Sequence, residues 1–419
     1  MAEGDAGIRF AVDSTGNKVR SGLMQVLDRR KALAVAPLLR LAFRPMFLAG
    51  CVLALLAIPL WLAALQGVLG SWQPAGGWLA WHRHELVFGF GLAIIAGFLL
   101  TAVQTWTGQP GLSGKPLAGL ALLWLAARMA WLANLPWSLL ALLELGFPLL
   151  VALVMARTLW RVRQQRNYPL VLVLLLLTAV DGLAVCGLVR GDEGWQRQAV
   201  LAGIWLVAAI MGLIGGRVIP FFTQRGLGRA EAVAPWPWLD WLLLGGSALV
   251  ALLYAAGLAL APSPWLGLLF AFLALGHLVR LWRWHDRGLW QVPLLWSLHL
   301  AYAWLALACL GMALWHGGVA LNPSLAVHCL TIGAMAGLIL AMIARVSLGH
   351  TGRPLQPPAG MTQAFILINL AGVCRVLLVP WLPQAGLWLA GACWALAFAL
   401  YAWRYGPMLL QPRVDGHPG

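Results

Sequence analysis

Apolar runs of about twenty residues recur along the whole chain, separated by short stretches rich in Gly, Pro and charge. A helix rises 1.5 Å per residue, so about 20 apolar residues cross the hydrocarbon core of a bilayer. Twelve such runs are read near 43–66, 83–105, 116–134, 137–158, 169–189, 197–221, 238–260, 264–284, 290–316, 323–347, 361–381 and 385–405. The pattern predicts an all-α polytopic membrane protein with twelve transmembrane helices in one domain over 40–407, flanked by cytoplasmic tails at 1–39 and 408–419. The first tail is polar and basic and lacks an apolar core followed by a small-residue cleavage site, so it is read as retained.

The runs repeat. His84 to Pro110 and His328 to Pro354 have equal length and pair without gaps, matching His84 with His328, Gly89 with Gly333, and Thr107-Gly108 with Thr351-Gly352. The sixth run joins through Arg217-Val218 and Thr223, aligned with Arg345-Val346 and Thr351. Pro45, Pro169 and Pro293 open the preceding spans at equal intervals. Three pseudo-equivalent units of four helices would produce this pattern.

Composition agrees. The chain is 62% hydrophobic and 10% charged, against about 25% charged in soluble domains. A net charge of +15 in another context points to nucleic acid, but here the basic residues lie between apolar runs as topology signals. Only Arg83, Arg190 and Arg197 fall in the loops opposite the basic side, which predicts cytoplasmic termini. The six cysteines are solitary, which argues against a disulfide framework, a c-type haem attachment or a Cys-rich metal site.

The chemistry-bearing residues sit within this frame. Trp81-His82-Arg83-His84-Glu85 opens the second run, and ionisable groups at a spanning helix are costly enough to mark a candidate site. Imidazole is the commonest metal ligand, and a b-type haem needs one or two axial histidines in a large apolar slot. His84 and His328 occupy equivalent repeat positions at equal depth, with Gly89 and Gly333 expected to let a flat macrocycle approach. The pair is therefore expected to hold a haem near the outer face. His82 and His84 lie about 200° apart on a helix, so they are not expected to share one metal. Each also reads simply as a hydrated helix-end histidine.

His299 lies mid-membrane and is read as a ligand or proton-handling group, with Tyr302 one turn away as a hydrogen-bond partner or proton donor. Glu85 reads as a proton carrier or histidine-orienting group, or as a first-turn glutamate answering the helix dipole. Arg83 is positioned to pair with haem propionates or simply to be solvated. Arg128, Glu144, Asp181 and Arg375 fall within spans and are read mainly as structural ion pairs.

Several stretches resemble the NnrS family. They are Trp81 to Phe90 with Ala96 to Val103 and Trp106 to Gly108, Gly215 to Thr223, Pro293 to Trp304, and His328 to Met335 through Ala344 to Pro354. The resemblance runs from about Arg40 to the last span. It implies a haem- and copper-containing bacterial inner-membrane protein of nitric oxide metabolism or nitrosative-stress resistance, with metal-site candidates at His82, His84, His299, His328 and His350. A weaker, fold-level similarity to the catalytic subunit of haem-copper oxidases and nitric oxide reductases implies a haem between helices 2 and 10. This chain lacks the histidines which that superfamily carries on helices 6 and 7.

Together these readings predict a protein that binds haem b, one or two copies, with copper as a further metal. It would bind nitric oxide and reduce or otherwise consume it, as a nitric oxide reductase-like oxidoreductase fed by an unidentified electron donor. Glu85 and Tyr302 are the candidate proton donors. Two alternatives stand beside it, a non-enzymatic nitric oxide sensor or protector and a secondary transporter. Spans 2 and 10 run in the same direction, which weighs against the inverted repeats of many transporters.

Overall fold

The computed structural model describes residues 31–319 and 322–417. Most of the expected N-terminal tail, residues 1–30, lies outside this range. Long helices dominate, and no strand occurs among the described residues. In chain order they are α1 (Phe43–Leu65), α2 (Gly77–Thr107), α3 (Gly114–Leu132), α4 (Trp137–Arg161), α5 (Tyr168–Arg190) and α6 (Glu193–Gly226), then α7 (Pro237–Ala255), α8 (Pro264–Trp284), α9 (Pro293–His316), α10 (Pro323–His350), α11 (Met361–Leu378) and α12 (Pro383–Leu410).

Eleven of these are long and apolar enough to cross a membrane, making this a multi-pass membrane protein. The exception is α3, which carries Lys115 and Arg128 within nineteen residues. It still packs within the bundle, because Arg128 finds carboxylate partners inside the protein. Several helices outrun their expected bounds. The second begins at Gly77 and the sixth extends from Glu193 to Gly226.

Consecutive helices pack side by side, and α12 returns to α1 to close the ring. Arg44 of α1 is fully buried and donates to the carbonyls of Leu409 and Gln411 at 3.0 and 2.7 Å, while Trp394 of α12 donates to Ala54 O at 2.8 Å. The Arg44 bonds satisfy carbonyls at the end of α12, and all three tie α12 to α1.

Inside the ring stand α2, α6 and α10. Their apolar stretches are 83%, 89% and 72% buried, against 28–56% for the other candidate spans. These are the three helices matched by the repeat. The equivalence reaches backbone detail. Helix α2 turns π-helical over Glu85–Gly91, immediately after His84, and α10 over Cys329–Ala336, immediately after His328. Thr107, Thr223 and Thr351 each donate back to the carbonyl four residues earlier, at 2.6, 2.8 and 2.6 Å. Gly108 and Gly352 follow with φ of 66° and 74°, a left-handed turn that glycine adopts without strain.

Around the ring, Trp160, Trp265, Trp282 and Trp381 lie exposed at or just beyond helix ends, as an interfacial aromatic belt requires.

Candidate functional site

Helices α2 and α10 begin at the same end of the bundle, and there a cavity of about 540 Å³ opens between α1, α2, α6, α9, α10, α11 and α12. Its walls are mostly apolar, with Val87, Phe90, Met312, Met335 and Trp394 among them. Its polar groups are few and convergent. They include His82, Arg83, Arg197, Asn322, Ser324, His328 and Arg375. A largely apolar cavity of roughly 300–1,000 Å³ with a few placed polar groups is the general form of a cofactor site.

Two imidazoles reach it. His328 Nδ1 lies 2.7 Å from Ser324 O, and a carbonyl can only accept, so Nδ1 carries the proton and Nε2 keeps its lone pair. This is the outer hydrogen bond that orients a metal-ligating histidine. Ser324 Oγ in turn accepts from Arg375 at 3.1 Å. On the other wall His82 stacks on Trp61, rings 4.8 Å apart and 9° from parallel. Its Nδ1 is buried without a partner. An unpaired buried nitrogen is costly.

His84 is elsewhere. The expectation that it meets His328 across one slot is not what the fold delivers. Two residues on from His82, it faces the opposite side of α2, into the space between α3, α4 and α5. There Nε2 lies 2.8 Å from Asp181 Oδ1 and 3.9 Å from Glu144 Oε1, and Nδ1 lies 3.3 Å from Glu85 Oε1. Arg128 Nη1 reaches Glu85 Oε1 at 3.1 Å, and Arg128 Nη2 pairs closely with Glu144 Oε2, which also accepts from Trp131 Nε1 at 2.9 Å. All five ionisable groups are buried. Trp131 stacks on the His84 ring at 4.1 Å.

The glycines expected to admit a macrocycle do something different. A Cβ on Gly89 would lie 2.3 Å from Arg128 Nη1, so this glycine lets the guanidinium pass close to α2. A Cβ on Gly333 would lie 2.3 Å from the indole of Trp304, which fills that face of α10.

The remaining predicted residues are dispersed. Glu85 belongs to the ion cluster, and its Oε2 is buried without a partner. Tyr302 OH accepts from Arg280 Nη1 at 2.8 Å and lies 2.8 Å from His277 Nδ1, in a third polar cluster between α6, α8 and α9. His299 donates from Nδ1 to Leu295 O at 3.0 Å. Met312, on the cavity wall, lies about 20 Å further along α9. His350 sits at the far end of α10, its ring 5.5 Å from Phe43. Of the predicted set the structure gathers His82, Arg83 and His328 at one cavity. Arg197 and Arg375 join them without having been singled out as cavity residues. Arg197 carried a signal, since it and Arg83 are two of the few arginines on the sparsely charged side.

No curated protein matches the chain. The family model described as NnrS protein matches residues 37–413, which covers every helix and all the motifs above, and the chain therefore belongs to the NnrS family.

Proposed function

We propose that this is a haem-binding inner-membrane protein of nitric oxide metabolism or nitrosative-stress resistance, which binds and consumes nitric oxide at the cavity between α2 and α10. Family membership supports the nitric oxide role. The observation that carries the site is the convergence of His82 and His328 on one large apolar cavity. By the excess of basic residues at the other end of the bundle, the cavity faces the periplasm and both termini are cytoplasmic.

The residues fit the cofactor. His328, with its proton on Nδ1 and its Nε2 lone pair free, would hold the metal, and His82 lines the same cavity as a second candidate. Arg83, Arg197 and Arg375 would supply positive charge for two propionates, and the aliphatic and aromatic lining would keep water from the ring. A bound haem b supplies a redox-active iron whose reactivity follows its axial ligands and hydrogen bonding. The protein's own part is to hold that group, set the His328 ring through Ser324, and keep the site dry.

The test is an optical spectrum of the purified protein, oxidised and reduced, with titration by nitric oxide. Haem bands that shift with nitric oxide support the reading. Absence of haem in protein from haem-sufficient cells overturns it. Turnover of nitric oxide with a chemical reductant separates a catalyst from a protein that only binds.

A further inference from the structure

The ion cluster around His84 has the composition of a second site. His84 Nε2, Glu144 and Asp181 each offer one ligand atom, and these atoms lie within 4.8 Å of one another. They come from α2, α4 and α5, on helices rather than loops, so the set is rigid. Two of the three ligands are oriented from behind. Glu85 Oε1 lies 3.3 Å from the far nitrogen of His84, while Arg128 and Trp131 hold the other oxygen of Glu144. A carboxylate behind a histidine and donors behind a carboxylate are the outer-shell pattern of metal sites. Oδ2 of Asp181, a residue with no exposed surface, is buried without a partner.

Charge counting points the same way. Glu85, Glu144 and Asp181 face the single guanidinium of Arg128, which leaves two negative charges in a buried pocket when His84 is neutral. Uncompensated charge at that depth is costly, and a protein resolves it with protons or with a cation. A divalent ion neutralises the group completely, whereas a proton on His84 leaves one charge over. One imidazole with two carboxylates suits borderline to hard divalent ions and lacks the thiolate or thioether that favours copper(I).

We infer that His84, Glu144 and Asp181 form a non-haem binding site for a first-row divalent cation, of the class of iron(II), manganese(II) or zinc(II). It stands independently of the haem reading, because none of the three ligands lines the cavity. His82 and Arg83, the residues just before His84 on α2, face that cavity instead, so α2 would carry one site on each side.

The experiment is elemental analysis of the full-length protein, purified in detergent from cells grown with iron, manganese and zinc, beside the haem spectrum of the same sample. The expected result is about one non-haem divalent ion per chain. Asp181→Asn and His84→Gln should each lose most of it while keeping the cavity's spectrum, which also reports that the variants fold. Glu85→Gln, which keeps all three ligands but removes the carboxylate behind His84 and its negative charge, should weaken the affinity for added manganese(II) by about 10–100-fold, read from its paramagnetic resonance signal. Wild-type protein without stoichiometric non-haem metal, or metal content unchanged in both ligand variants, overturns the site. Wild-type protein that carries the metal but no haem counts against the proposed function and leaves this site standing.

Discussion

The His84 and His328 regions start from the same plan and end as different sites. In both, a histidine stands in the first turns of a central helix and a π-helical segment follows at once. In both, the next helix contributes an arginine, Arg128 from α3 and Arg375 from α11. The helices that complete each enclosure make the difference. Around His84, α4 and α5 bring Glu144 and Asp181, which draw the imidazole and guanidinium into a filled ionic knot. Around His328, α12 and α1 bring Trp394, Leu387, Trp61 and Ile58, which carry no charge to draw the polar groups together, and a cavity remains. Two carboxylates therefore separate a closed polar cluster from an open, largely apolar cavity.

The largest effect should come from breaking the closed side. Arg128→Ala leaves Glu85 and Glu144 buried without their cation, and loss of one partner from such a pair costs about 3–5 kcal/mol. Thermal unfolding in detergent and membrane yield should both fall sharply, whereas Arg375→Ala, which removes a bond to Ser324 Oγ, should be far milder.

Glycine substitutions sharpen the comparison next. Gly333→Ala places a methyl against the Trp304 indole, and overpacking of this kind costs about 1–3 kcal/mol. Gly89→Ala meets the end of the Arg128 side chain, so its damage should shrink when combined with Arg128→Ala. Additive losses in that double mutant would contradict the assigned contact.

The smallest effect tests the repeat itself. Thr107→Val and Thr351→Val each remove the hydroxyl bond back along their helix, at Thr107 together with a longer bond accepted from Gln109 N–H, and should cost similar small amounts, about 0.5–1.5 kcal/mol. Clearly unequal costs would argue that the two helix ends are not equivalent.

Much of this was legible in the sequence because apolar length and glycine-proline punctuation set the helices. Matched residues on the second, sixth and tenth runs identified the three helices that stand at the centre. The candidate site was legible only in part. Register equivalence of His84 and His328 says that they occupy matching places in matching units, and units related by rotation turn matching residues toward different neighbours. His82 was the histidine on the other face of the same helix, and its helical offset from His84 already implied that only one of the two would reach a given site. The ion cluster joins Glu144 and Asp181 to His84 across more than fifty residues, a closeness that no local pattern encodes.

The most direct test of the account is the haem content and reduced-minus-oxidised spectrum of four samples, the wild type and the single variants His82→Ala, His328→Ala and His84→Gln. The account predicts a haem signal that is lost or altered in His82→Ala and His328→Ala and kept in His84→Gln. Loss in His84→Gln with retention in His82→Ala would contradict it and restore His84 as the ligand.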